Sequence, residues 1–269
     1  VSHFELFESY IPFDLLVPQN FLLAFLVLTL IINLRYFVLV GSFWWFYYRQ
    51  QPARTRAGQI YKSLPTTKQQ KMEIGWSLLS SVLFALAGLG MGIFWQLGWT
   101  RIYLNFHAFP IWYLPVSAVI LALLHDTYFY WIHRALHHPW LLKRWHLVHH
   151  NSLEPSPWAS FSFHPAESVL NAIALPILIF ILPLHPVVLL WHLTLMTVTA
   201  ILNHLGFELL PRGTAKHPLG RFWIGAVHHS LHHEVFRENF GLFFSFWDHL
   251  CGTESANYQQ AFAKAKGER

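Results

Sequence analysis

Sulfur is nearly absent: Cys251 is the one cysteine in 269 residues. That excludes an internal disulfide, a cysteine-ligated iron–sulfur cluster and structural zinc of the four-cysteine kind. Acid is scarce as well, with 13 Asp plus Glu against 19 His. No Glu is followed by His three residues later, so the Glu-x-x-His pairs of soluble carboxylate-bridged di-iron bundles are missing. HExxH is missing too, because Glu234 follows His233 with no second His in place. Charged residues make up only 12% against 54% apolar ones, which is too greasy for an ordinary soluble domain.

What is present reads as a membrane protein. Apolar runs of about 20 residues, enough to span a bilayer, fall at 20–47 (interrupted by Asn33 and Arg35), 74–97 and 111–133. A fourth stretch, 168–204, is broken by Pro183-Leu184-His185-Pro186 and reads as a hydrophobic hairpin of two shorter segments. Gly88, Gly90 and Gly92 resemble a nucleotide loop only superficially. They sit inside a span with no preceding strand, so close helix packing explains them.

These spans divide the basic residues unevenly. One side carries only Arg101; the other carries six Lys/Arg in the 49–73 loop, three in 134–167 and seven after 204, with Arg35 inside the first span. By the positive-inside rule the richer side is cytoplasmic. The first residues, with Glu5, Glu8 and Asp14 but no Lys or Arg, are expected on the opposite side and lack the basic start of a signal peptide. A pI near 9.4 then points to anionic lipid headgroups rather than nucleic acid, for which no motif is found.

The histidines follow the same division. Fifteen of 19, from His125 to His249, are placed at or beyond the cytoplasmic ends of the spans; His3, His107 and His185 fall on the far side and His192 within a span. Many recur three and four apart: His133/His137, His146/His149/His150 and His228/His229/His232/His233. Such spacings share one helix face, so each motif is expected to aim its imidazoles at a single point, as a metal site requires. The donors would be almost all nitrogen, which suits Fe, Zn, Cu and Ni.

Taken singly, His133 and His137 are ligand candidates on the helix leaving the membrane, and His125 is a weaker one. Asp126 lies about 10 Å back along that helix, too far for the same ion and suited to backing a ligand ring or to a structural role. Pro139 ends the helix after His138, a turn-end residue. A new helix, starting near Leu141, carries His146, His149 and His150. His229, His232 and His233 repeat the triad, and His228, four before His232 but one position off the stripe, is a weaker ligand candidate. His204 closes the last span as a ligand candidate, and Glu208, one turn on, is a weaker ligand candidate. His164, before Pro165, is a weaker ligand candidate that with Glu167 suits organising a loop. Most of the aromatic residues, 17% of the chain, belong to the membrane core or its interfacial belt.

The order HRxxH, HxxHH, a lone His after a hydrophobic hairpin, then HxxHH followed by NFG and WDxxxGT (Asn239, Phe240, Gly241, Trp247, Asp248, Gly252, Thr253) resembles the fatty acid hydroxylase/sterol desaturase superfamily. The resemblance runs from about His125 to Thr253. It implies an all-α, polytopic membrane bundle with a cytoplasmic helical cap holding two metal ions, usually iron, with zinc as a substitute on purification. Carried onto this chain, the ligands are His133, His137, His146, His149, His150, His204, His229, His232 and His233. Asp126, Glu167, Glu208 and Asp248 are the carboxylate candidates behind them. The implied reaction is O2-dependent hydroxylation or desaturation of a lipid entering from the bilayer.

Where some members place a second His one turn after the lone one, this chain has Glu208. The sequence has no haem-binding His-Pro-Gly-Gly and no flavin or nicotinamide fingerprint. Electrons are therefore expected from a separate donor: a cytochrome b5-like protein, a ferredoxin or a reductase. The expected organisation is a single membrane domain, 1–269, with N-terminal spans at 20–133, a histidine-motif region at 125–253 and a tail at 254–269. The rival reading is a metal transporter or metal-binding membrane protein. Transporters place polar ligands near the midplane, whereas here they gather at one face.

Overall fold

The structure is a computed structural model that describes residues 13–50 and 58–267. His3, Glu5 and Glu8, and the basic residues Arg54, Arg56 and Arg269, lie outside them. Nine helical elements carry the described residues: α1 (Pro18–Trp44, continued by a π turn Trp45–Gln50), α2 (Thr67–Gln96), α3 (Tyr113–Leu136), α4 (139–150), α5 (Pro165–Ile181), α6 (Pro186–Asn203), α7 (Ala226–Val235), α8 (Phe246–Cys251) and α9 (Tyr258–Lys266). Short 3-10 turns lie between some of them, and there is no strand among the described residues.

Four helices, α1 with its extension, α2, α3 and α6, are long and apolar enough to cross a membrane; α5 is a shorter apolar helix. Leu26 and Leu30 of α1 are more than half exposed, as residues facing lipid should be. Asn33 does not interrupt α1, because its Nδ2 donates back to the Thr29 carbonyl at 2.9 Å. α2 begins earlier than the apolar window, at Thr66, whose side chain accepts from the Gln69 N–H. In lipid, helices associate through close packing rather than the hydrophobic effect. Gly88 and Gly92 of α2 serve that purpose, since a Cβ there would meet Leu28 at 2.9 Å and Leu15 at 3.0 Å. Gly90 faces open space and takes no part.

α5 and α6 form the expected hairpin. His164 and His185 cap the two helices alike, each accepting through Nδ1 at 3.2 Å from the N–H two residues on, with Pro165 and Pro186 in the first turn. The hairpin turn is tied to the α2–α3 connection by Arg101 N–H to Ile179 O, 2.8 Å, and Tyr103 N–H to Leu184 O, 3.1 Å. At the other end, Tyr36 of α1 and Ser77 of α2 both donate to the Trp158 carbonyl, at 2.8 and 3.0 Å. The loop that follows α4 is thereby clamped over the bundle.

The rise of 1.5 Å per residue places His133 about 30 Å from the start of α3 and His204 about 27 Å from the start of α6, close to one hydrocarbon thickness. The histidine layer thus sits about one hydrocarbon thickness from the far ends of α3 and α6. His125 does not belong to that layer. It lies about 12 Å deeper, where its Nδ1 is 2.6 Å from His192 Nε2, a polar tie between α3 and α6. The sequence window put it at the helix end because α3 runs to Leu136 rather than stopping near 133. Residues 254–269, read as a tail, include α9, whose Tyr258 and Phe262 are buried with Val227 and Ala215.

Candidate metal centre

Nine histidines meet in two groups, His133, His137, His146, His150 and His232 in one, and His149, His204, His229 and His233 in the other. Within each group one ring nitrogen per residue lies within 4.8 Å of all the others. Neither group includes a carboxylate. The groups adjoin: the rings of His150 and His233 are 4.7 Å apart.

The two triads are divided in a way that corrects the single-point expectation. α4 gives His146 and His150 to the five-histidine group and His149 to the other; α7 gives His229 and His233 to the four-histidine group and His232 to the other. The reason is helical geometry, since positions i and i+4 nearly eclipse while i+3 and i+4 diverge by about 100°. Each helix therefore reaches both groups. α3 adds its own i, i+4 pair, His133 and His137, and His204 at the end of α6 completes the second group.

α4 also begins earlier than expected, at Pro139, and is not uniformly α: Leu142–His146 is a π turn. Such turns insert one residue and re-aim the side chains beyond them. No single residue in the sequence announces it.

Most of the rings are held from behind. Nδ1 of His133 lies 2.8 Å from Phe240 O, that of His232 2.7 Å from Glu238 O, that of His204 2.7 Å from Ala200 O and that of His149 3.3 Å from Ser162 O. Nδ1 of His146 lies 2.8 Å from Glu167 Oε1. A carbonyl oxygen only accepts, so the four rings held by carbonyls carry their proton on Nδ1 and turn a bare Nε2 lone pair inward. Yet the inward nitrogens of two of them, His204 and His149, approach to 3.3 Å. Lone pair facing lone pair is repulsive unless a cation lies between. Nitrogens about 2.0–2.1 Å from a common ion would themselves be spaced by roughly 2.8–3.4 Å at right to tetrahedral angles. The donor set therefore fits two metal ions.

The electrostatics agree. Burial, and after it the neighbouring imidazoles, holds His146, His149, His150, His229, His232 and His233 well below the ordinary histidine pKa. Burial lowers His204 to about 4, and burial with His133 beside it lowers His137 to about 2. At neutral pH these rings are neutral, the state that binds metal.

The carboxylates take different parts. Glu167 backs His146 directly. Asp248 accepts from the N–H groups of Phe240 (2.8 Å) and Gly241 (2.9 Å) and from Thr253 Oγ1 (2.8 Å), so it fixes the peptide whose carbonyl holds His133. Asp126 accepts from the Phe243 N–H at 2.7 Å and anchors the same loop to α3. Glu208 touches no ligand ring among its hydrogen bonds; it accepts from the N–H groups of Leu210 and Val227 and sets the start of α7. Gly241 must lack a side chain, since a Cβ would come within 2.5 Å of the Phe244 carbonyl oxygen.

His125, His164 and His228 stand apart from both groups. His125 pairs with His192 and His164 caps α5, while the buried His228 has its Nε2 3.9 Å from Asp248 Oδ2. The carbonyls of Phe240, Glu238, Ala200 and Ser162 were invisible in the sequence, because every residue has one. Phe236 was missed as well: its ring lies 4.3 Å from that of His150 and its backbone is left-handed, φ 65°. That conformation is uncommon for a bulky residue and marks a constrained site.

A small cavity of about 40 Å3 adjoins both groups. Its wall includes His133, His146, His149, His204 and His229, with Phe129, Leu136, Phe163 and Leu242 as its apolar part.

Residues 118–253, half of the chain, match the family model described as fatty acid hydroxylase. Lathosterol oxidase of Mus musculus is 37% identical over 158 residues, 58% of this chain and 51% of that protein. The Homo sapiens lathosterol oxidase is 35% identical over the same shares. A Delta(7)-sterol 5(6)-desaturase of Schizosaccharomyces pombe is 28% identical over 262 residues, 94% of this chain and 73% of that protein. The chain spans about half the length of the lathosterol oxidases it matches. No solved structure matches.

Proposed function

Because this chain belongs to the fatty acid hydroxylase family, we propose that it is a membrane-bound, O2-dependent oxidoreductase that hydroxylates or desaturates a C–H bond of a sterol- or fatty-acyl-type lipid. The observation that carries this reading is the adjoining pair of all-imidazole groups beside an apolar cavity. Two iron ions held by the nine histidines would supply reductive activation of O2 and oxidation of an unactivated C–H bond.

The chain's own residues have definable tasks in that reaction. The Nδ1–H contacts to the carbonyls of Phe240, Glu238, Ala200 and Ser162 fix ring orientation before any ion arrives, which removes the cost of ordering the ligands. Phe129, Leu136, Phe163 and Leu242 keep bulk water from the reacting C–H bond. The cavity admits a small part of a lipid rather than a whole one, so these side chains move when substrate enters from the bilayer. In hydroxylation, O2, two electrons and two protons convert a C–H group to C–OH and one water; in desaturation the same inputs remove two hydrogens and yield two waters. The relatives named for sterol oxidation support a sterol-type substrate.

Among the described residues, 13 of 15 basic ones lie on the histidine side of the spans, which supports a cytoplasmic orientation of that face. The experiment is a comparison by mass spectrometry of lipid extracts from aerobically grown cells with and without the protein. A lipid gaining one oxygen or losing two hydrogens is expected. Unchanged lipids together with metal flux across reconstituted vesicles would favour transport instead.

A further inference from the structure

Of the nine metal-group histidines, eight are buried and His137 alone is half-buried. His137 is also wired inward, its Nε2 3.2 Å from His150 Nε2. The reaction proposed above consumes two electrons per turnover, and no haem, flavin or nicotinamide motif occurs among these 269 residues. The electrons come from outside them. Electron transfer slows steeply with distance, so the face at the least buried of these nine residues is the favoured place of entry.

The surroundings of His137 are basic and aromatic. Arg134, one turn before it on α3, is exposed. Trp140, one turn after it, is 50% exposed, and the Arg144 guanidinium lies 4.5 Å from its ring centre. Lys143 beside Arg144 is exposed. Phe236, whose ring is 6.4 Å from that of His137, is followed by exposed Arg237. Against these four cations the same α7 loop offers Glu234 and Glu238, which leaves the rim positive. Excess charge of one sign around a small exposed path steers a partner of opposite charge.

We propose that the surface around His137, rimmed by Arg134, Lys143, Arg144 and Arg237 with Trp140, docks the electron donor, a one-electron carrier protein with acidic residues around its redox group. This rests on the oxygenase reading, but its test has a readout that does not. The protein is placed in nanodiscs of neutral phosphatidylcholine, so that anionic lipid cannot occupy the rim. Binding of a soluble cytochrome b5 domain is then measured against salt, for wild type and for Arg144→Glu, Arg237→Glu and the control Lys264→Glu on α9.

The expected result is binding that weakens with salt and weakens roughly tenfold further in each rim variant, with the control unchanged. In iron-loaded protein, the KM for the donor should rise by a similar factor. Turnover at saturating donor, or with dithionite and a neutral mediator, should stay as in wild type. No binding by wild type, equal loss in Lys264→Glu, or rim variants that bind as wild type would overturn the docking surface. Absence of turnover with every reductant, alongside the expected binding pattern, would count against the oxygenase reading and leave the surface standing.

Discussion

Nδ1 decides where each imidazole points. Five of the nine rings have that nitrogen against an oxygen, and Glu167 is the one side chain that supplies it. Replacing such a partner typically costs 10–100-fold in metal affinity. Glu167→Ala is therefore expected to lower metal affinity by about that factor while leaving the helices intact, as metal titration followed by circular dichroism would reveal; unchanged affinity would remove Glu167 from the site. Eight of the nine histidines stand out in the sequence by their spacing, and the lone His204 only by its place after the hairpin in the family's motif order. Glu167 was legible as a carboxylate behind the ligands and as a neighbour of His164, but not which ring it stands against, because His146 comes from another element. The backbone carbonyls carry no residue signature at all. His125 misled because a histidine near a motif looks like part of it, whereas depth along α3 separates the two by about two helical turns.

The spans and the hairpin could be placed from apolar runs and prolines, since lipid imposes their length. The division of each triad between two groups could not be read off, because spacing fixes which rings share a face but not what faces them. The π turn in α4 was hidden for a related reason: it adds a residue to a turn without changing the residue types that favour helix. It has a consequence that can be measured. Deleting Lys143 would let 139–150 close as plain α-helix and rotate His146, His149 and His150 by about 100° relative to the preceding residues. Bound metal is expected to fall below half of the wild-type level with helicity kept, while Lys143→Ala retains both. Full metal in the deletion variant would show that the π turn does not aim the ligands.

Across the molecule, helices of bundle length bring ligands from α3, α4, α6 and α7 to one layer. The buttressing loop 239–245 and Trp158, clamped by α1 and α2, close it off. Burying so many neutral imidazoles links stability to acid. Their folded pKa values lie below the ordinary value of about 6.5, near 4 for His204 and lower for others. Between those limits the unfolded chain holds more protons than the folded one, so stability falls as pH falls. Metal-free protein should keep its stability above about pH 7 and lose the cap cooperatively between about pH 6.5 and 4, followed by tryptophan fluorescence; a stability unchanged from pH 7 to 4 would mean the rings are not buried neutral. The most direct test of the whole account is the iron content and X-ray absorption spectrum of anaerobically reconstituted protein, beside His204→Ala. Two ions per chain with imidazole scattering and no sulfur, falling to one ion in the variant, is the predicted result. A single ion in wild type, or no loss on removing His204, would contradict it.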